Sequence, residues 1–311
     1  MKSPRSDQPS QWKVGLILIV GVLSASTAAI FIRLALEAAE ISSVGFSLVL
    51  AASRLTLASL FLIPAWRSFR TTQFQRGALG YSVAAGCFLA IHFASWITSL
   101  LYTSVAASTA LVTTNPVWVA ILSWLWFGEK PLLKTSLGIA IALIGSLLIG
   151  LSSGGSPVSS PLLGNLLAVV GSVAVSLYFL LGREAQRRGL GISSHIVLTY
   201  TTAALVLLPL PLIFGVGYVG YPSQVYLWIA LMAVFPQLIG HTSFNWAVRW
   251  ISPTLVTLTI LVEPVGSGVL ALLFFQENPG TQVIFGAVVI LIGVAIAALG
   301  ATPTAKNTPN N

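Results

Sequence analysis

Ten long apolar runs, separated by short polar connections, organise this chain. They fall near 14–36, 43–64, 78–100, 104–127 and 133–151, then near 162–182, 195–214, 225–246, 252–275 and 281–300. Each is long enough to cross a hydrocarbon core of about 30 Å at about 1.5 Å of rise per residue. Strands of a membrane barrel would alternate apolar and polar positions in runs of about 10 residues. Here the runs are continuous and about twice that length, which predicts helices. The expected fold class is an all-α integral membrane protein with ten transmembrane helices. The first run follows the basic residues Lys2, Arg5 and Lys13 and passes through Ser24-Ala25-Ser26, the outline of a secretory signal with a cleavage site. It stays apolar to about Leu36, however, and so predicts an uncleaved first span.

Composition supports the same class. Hydrophobic residues make up 56% of the 311 positions and charged residues only 7%, whereas a soluble domain carries about 25% charged residues to hydrate its surface. The net charge of +8 raises nucleic acid as a partner, but the charges sit in the connections between apolar runs. With the N-terminus placed in the cytoplasm, Arg67, Arg70, Arg76, Lys130, Lys134, Arg183, Arg187, Arg188 and Arg249 all fall on inner connections, and Lys306 in an inner tail. Glu37, Glu40 and Glu277 fall outside, with no Lys or Arg among the outer connections. This one-sidedness predicts a multi-pass protein of the cell (inner) membrane with both termini cytoplasmic. The lone Cys87 lies inside an apolar run, has no disulfide partner, and reads as a small buried residue.

The runs also repeat. Shifting the chain by 148 positions lays Asn115-Pro116-Val117 on Glu263-Pro264-Val265, and Phe127-Gly128-Glu129-Lys130-Pro131 on Phe275-Gln276-Glu277-Asn278-Pro279. Ser104 then falls on Ser252, Gly138 on Gly286 and Gly145 on Gly293, while a shift of 150 lays Gly21 on Gly171 and Arg33 on Arg183. The expected organisation is a tail at 1–13, a five-helix unit at 14–151, a Ser/Gly/Pro linker at 152–161, a second five-helix unit at 162–300 and a tail at 301–311. Five spans is an odd number, so the second unit enters the membrane upside down relative to the first. Inverted repeats of this kind are an architecture of alternating access.

The pattern Pro116-Val117 then Gly128-Glu129, repeated as Glu263-Pro264-Val265 then Glu277, resembles the EamA-type family of the drug/metabolite transporter superfamily. Gln282, Gly286 and Gly293 continue it, and Arg33 and Arg54 stand where such proteins often carry basic residues. The resemblance covers about residues 14–300. Gln276 departs from the glycine usual before the glutamate. The resemblance implies movement of small organic solutes, often export of amino acids or related metabolites.

Several polar residues inside the spans are candidates for a substrate site. Glu263 lies about halfway along the ninth span, where a carboxylate is costly; Thr259, Glu263 and Ser267 share one face of a continuous helix. It binds a cationic group, carries a proton, or ties helices together. Asn115 occupies the matching position in the fourth span, beside Pro116, where a broken helix either binds solute or packs for shape. Arg54, in the middle of the second span, neutralises Glu263 or binds an anionic group. Arg33 reads as an interfacial anchor. His92, Ser95, Trp96 and Ser99 form a stripe in the third span, and Gln237, His241 and Asn245 one in the eighth, with His92 toward the outer end and His241 toward the inner. Such stripes line a cavity or cement helices. Trp96, Trp118 and Tyr178 surround an apolar solute moiety or simply fill space. Gly138 with Gly145, and Gly286 with Gly293, predict close helix packing outside the transport path. The run from Arg183 to Arg188 reads as a solvated topology signal.

A secondary transporter with no cofactor and no enzymatic activity is the leading class. Its expected partners are a small-molecule substrate and the lipid bilayer, with a homodimer left open and nucleic acid excluded. An intramembrane enzyme is the weaker rival: there is no H-E-x-x-H pair, and the one aspartate, Asp7, stands in the tail. A channel would show filter loops or charged rings. A scaffold without transport needs the same glycines.

Overall fold

The computed structural model describes residues 9–70, 73–103, 105–151, 160–276 and 280–300. Residues 1–8 and 301–311 of the two tails, linker residues 152–159, and Ser104, Glu277, Asn278 and Pro279 lie outside them, and the expectations resting on those positions stay expectations. All regular structure among the described residues is helical. The helices are α1 Gln11–Ser26, α2 Ala28–Ala39, α3 Val44–Phe61, α4 Ala78–Ser99, α5 Val105–Val112, α6 Asn115–Phe127, α7 Leu133–Leu151 and α8 Pro161–Arg187. They continue as α9 Ile192–Leu207, α10 Leu210–Ile213, α11 Ser223–Met232, a π-helical segment Ala233–His241, α12 Thr242–Ala247, α13 Pro253–Ile260, α14 Glu263–Phe275 and α15 Thr281–Gly300. Among the described residues, nine stretches are long and apolar enough to cross a membrane, some built from two or three of these helices in line. α7 is a further, shorter apolar helix by the same measure.

The breaks within these stretches follow from proline chemistry. Proline has no N–H to donate to the carbonyl four residues back, and its ring crowds that carbonyl. Pro116 therefore leaves Val112 unbonded, Pro264 leaves Ile260 and Pro236 leaves Met232. Those three residues are the last of α5, α13 and α11. The chain re-enters helix at Asn115 and at Glu263, each beside its proline in a first turn. After Met232 it widens instead into the π segment that contains Pro236. The single face expected for Thr259, Glu263 and Ser267 does not survive the break: Thr259 Oγ1 donates to Val256 O at 2.6 Å, and Ser267 Oγ to Ser26 O at 2.9 Å. The turn between α1 and α2 has another cause. Ser26 Oγ donates to Val22 O at 2.9 Å and Thr27 Oγ1 to Ser24 O at 2.7 Å, the back-bonding that bends helices.

Two apolar cores hold the molecule together. The larger runs through α1–α4, α8, α9 and the α11–α12 stretch, around Leu50, Leu55, Phe93, Phe179 and Phe244. The smaller joins α6 and α13 to α7 and α15 through Ala120, Ala142, Leu258 and Ile290. α7 and α15 run antiparallel, from Gly138 beside Ala297 to Leu148 beside Gln282. Their glycines let the backbones touch, since a Cβ on Gly145 would lie 2.6 Å from Gly286 O and one on Gly138 2.6 Å from Gly293 O.

The two ends of the bundle can be told apart along the stretch 223–247. Near its start Trp228 stacks on Phe31, ring centroids 5.9 Å apart. Near its end Asn245 O accepts from Gln186 Nε2 at 2.9 Å. Arg183, read from sequence as part of a solvated loop, is instead inside α8 and only 8% exposed.

Candidate functional site

A cavity of about 40 Å³ lies among α1–α6, α8, the π segment and α12–α14. No residue of α7 or α15 lines it, so the glycine-packed pair stands apart from it. Six of the eight residues singled out in the sequence line this space: Arg54, His92, Trp96, Asn115, His241 and Glu263. Tyr178 and Asn245 do not. Asn245 Nδ2 donates to the Tyr178 hydroxyl, and Asn245 Oδ1 lies 3.3 Å from His195 Nε2. The π segment explains the displacement of Asn245. Its wider i→i+5 turns rotate every later residue away from the face that a continuous α-helix would give.

Arg54 is the central group. It is fully buried, donates through Nη2 to Gln237 Oε1 at 3.0 Å, and lies over the Phe93 ring at 4.0 Å from the centroid. Its Nε and Nη1 are buried with no partner among the described residues. Buried polar groups are almost always hydrogen-bonded, and a guanidinium stays charged, so two free donors on a buried cation mark a place for an anion or ordered water. Arg54 and Glu263 line the same cavity, yet no ion pair within 4 Å joins them among the described residues. Neutralisation of Glu263 by direct contact, one of the two roles expected for Arg54, is therefore absent in this conformation.

Glu263 sits in the first turn of α14, where the unpaired backbone N–H groups and the helix dipole favour negative charge. Its own backbone carbonyl accepts from Ser26 Oγ at 3.3 Å. Asn115 opens α6 in the same way, and its Oδ1 is buried without a partner. Two helix N-termini thus meet one cavity, one presenting a carboxylate and the other an amide oxygen.

Aromatic rings form the remaining wall. His92 stacks on Trp96 with centroids 5.9 Å apart, and His241 lies 5.3 Å from Phe93 and 6.2 Å from Phe244. The two histidines, read toward opposite ends of their spans, meet here at 6.3 Å. His92 Nδ1 donates to Gly171 O at 2.9 Å, which leaves Nε2 as the acceptor of a neutral ring. Trp96 Nε1 and His241 Nδ1 have no partner. The free donors thus include the Arg54 pair and Trp96, the free acceptors include Asn115, Glu263 and His92 Nε2, and His241 serves as either. The cavity wall is bipolar, carrying a guanidinium and a carboxyl side chain.

Sequence reasoning missed the buried network beside this site. His195 Nδ1 bonds Ser82 Oγ at 2.9 Å, Ser82 Oγ lies 3.0 Å from Thr199 Oγ1, and Tyr200 OH donates to Gln237 O at 3.3 Å. The available signal was His195 and Thr199, four apart on one helix face. His195, Ser82 and Thr199 satisfy one another in this network, whereas the cavity leaves several of its polar atoms without a partner among the described residues.

A family model described as the EamA-like transporter family matches the chain twice, over residues 12–151 and 162–299. The chain is 28% identical over 208 residues to a protein of Archaeoglobus fulgidus named an uncharacterized transporter, covering 66% of this chain and 71% of that one. It is 27% identical over 236 residues to the uncharacterized transporter YyaM of Bacillus subtilis, covering 74% and 76%. A solved crystal structure superposes with a TM-score of 0.72 at 20% identity, over 94% of this chain and 98% of the other; that likeness speaks to fold alone.

Proposed function

The chain belongs to the EamA-like transporter family, and on that premise we propose that it is a secondary transporter exporting amino acids or related small metabolites by alternating access. One observation carries the reading: a fully buried arginine with two unpaired N–H groups shares a cavity with a carboxylate it does not touch. A zwitterion complements both groups. Its carboxylate accepts from Nη1 of Arg54 together with the second N–H of Nη2, the two-pronged geometry that guanidinium favours, and its ammonium faces Glu263 and Asn115 Oδ1. Half-helix N-termini directed at a central site are the device by which broken transporter helices hold substrate.

Size and symmetry support movement. A water molecule needs about 10–15 Å³ of cavity measured this way, so about 40 Å³ holds a few waters and no metabolite. Helices must part to admit a solute, and this conformation is a contracted one. The broken helices supply related hinges: α13 and α14 end 148 residues after α5 and α6, respectively. That offset supports ten spans arranged as two inverted five-helix units, with both termini cytoplasmic as the basic residues indicate. No nucleotide-binding loop is present in the sequence, so an ion or solute gradient supplies the driving force.

The test is counterflow in vesicles reconstituted with purified protein, against a panel of labelled amino acids, their decarboxylated amines and their deaminated acids. Zwitterions should exchange while amines and acids lacking one charge exchange poorly, and Glu263→Gln should abolish the preference for an ammonium group. A protein that moves no member of the panel refutes transport of this class. Equal flux of zwitterion, amine and acid refutes the bipolar site.

A further inference from the structure

Two arginine contacts outside the cavity repeat each other across the halves of the chain. Arg33 on α2 lies over the Phe275 ring at the end of α14, 4.0 Å from its centroid. Arg183 on α8 lies over the Phe127 ring at the end of α6, 6.0 Å from its centroid. The offsets of the sequence repeat, 150 for the arginines and 148 for the rings, carry one contact onto the other. Each contact also crosses between halves: an arginine of the first grips a ring of the second, and an arginine of the second grips a ring of the first. The turn after each ring is left-handed, at Gly128 with φ 69° and at Gln276 with φ 56°. Beyond Gly128 this turn delivers Glu129, whose Oε2 pairs with Arg183 Nη1 at 2.7 Å. Arg33 pairs with Glu37 at 2.9 Å.

The two contacts stand at opposite ends of the bundle. Phe31, two residues before Arg33, stacks on Trp228, while Gln186, three residues after Arg183, bonds to Asn245. Trp228 and Asn245 are separated along one stretch by about 25 Å of helix, at about 1.5 Å per residue. The cavity lies between these levels, with His241 of the same stretch in its wall. Each arginine thus ties the far end of a proline-broken stretch to a neighbouring helix, α14 to α2 and α6 to α8. α14 and α6 are the segments that carry Glu263 and Asn115 at their other ends.

We propose that the Arg33–Phe275 contact and the Arg183–Phe127–Glu129 contact are paired latches, one shutting each end of the cavity, released alternately. The inference rests on the alternating-access reading and adds the residues that hold each end. Both latches are closed in this structure, which accounts for a cavity too small for a metabolite. Opening one end breaks one latch and leaves its counterpart engaged, so two equivalent contacts of opposite placement give two equivalent gates. The Arg33–Glu37 pair is largely exposed and contributes little to stability, the Glu129 side of the other pair is open to its surroundings, and a contact remade in every cycle must be weak.

The test measures access rather than flux. In full-length protein carrying Cys87→Ser, a reporter cysteine replaces Ala28 on the cavity wall, and its reaction with an impermeant maleimide is timed in right-side-out and inside-out vesicles. Arg183→Gln should speed labelling from the Asn245 side roughly fivefold, the population shift expected from one such lost contact, with no change from the Trp228 side. Arg33→Gln should do the reverse. Exchanging the charges as Arg183→Glu with Glu129→Arg should restore the slow rate, and Glu129→Gln reads the same latch should Arg183→Gln fold poorly. Unchanged rates, or acceleration from the same side by both arginine variants, overturn the latches even where solute flux is intact. Side-specific acceleration without any solute flux sustains the latches and defeats the transport reading instead.

Discussion

Replacing Arg54 with methionine separates what the guanidinium does for the fold from what it does for the solute. In the folded chain its hydrogen bond to Gln237 contributes about 1.5–3 kcal/mol, and its desolvated contact with Phe93 about 2 kcal/mol. Against these stand two buried donors without partners, each costing about 1–3 kcal/mol. The variant loses the favourable contacts, removes the unpaired donors, and leaves Gln237 Oε1 unpaired at about 1–3 kcal/mol. These contributions cancel to within a few kcal/mol, so Arg54→Met should fold, with a melting midpoint near that of the wild type. Solute binding has no such cancellation. Losing the buried partner of a carboxylate costs about 2–5 kcal/mol, or about 30-fold to several-thousand-fold in affinity at about 1.4 kcal/mol per decade. Arg54→Lys keeps the charge but not the fork, and should fall between. Tryptophan-fluorescence melting and counterflow in vesicles measure the two effects on the same preparations. Affinity within threefold of the wild type in Arg54→Met refutes the anion-binding role; a variant that does not fold refutes the energetic balance.

Gly145→Val drives a side chain into the backbone of α15, where a Cβ already meets Gly286 O at 2.6 Å. Overpacking of this kind costs about 1–3 kcal/mol or more, so the melting midpoint should drop while the surviving protein keeps its KM. Asn245→Leu strips partners from Tyr178 OH and His195 Nε2. With each unpaired group costing about 1–3 kcal/mol, folded yield should fall, and a normal yield would show that the network is dispensable. For orientation, single cysteines at Ser68 and Arg187 in a Cys87→Ser background should label only from the cytoplasm and one at Gly220 only from outside. Labelling of position 187 on intact cells contradicts the ten-span reading.

The helical, membrane-embedded class was legible because it depends on composition and run length, which need no knowledge of contacts. The break at Pro116 was legible too, whereas the ninth span was read as continuous across Pro264 and the eighth across Pro236, although each proline dictates which carbonyl loses its donor. What faces what was harder. A sequence gives the periodicity of a stripe but not the rotation of its helix against neighbours. Arg54 was therefore assigned to Glu263 or an anion, whereas its first partners are Gln237 and Phe93. The stripe of Gln237, His241 and Asn245 assumed an α-helical period that the π segment does not keep. His195 escaped notice because its spacing from Thr199 does not reveal the partners, Ser82 and Asn245, that the fold brings to it. The cross-half arginines were visible as a repeat, yet only the folded chain shows that each reaches a ring in the other half.

The glycine seam between α7 and α15 also sets an order of events during synthesis. α7 ends at Leu151 and its partner begins at Thr281, about 130 residues later. At about 5–20 residues per second of translation, α7 waits roughly 7–26 s in the bilayer with its bare backbone face uncovered. For that time α5 can flank it, while the glycines of α8 with the same spacing, Gly164 and Gly171, are taken up against Thr103 and against His92 and Trp96. α15 is thus the helix that completes the earlier half, and a nascent chain stopped short of it exposes that seam to any other small-residue helix nearby.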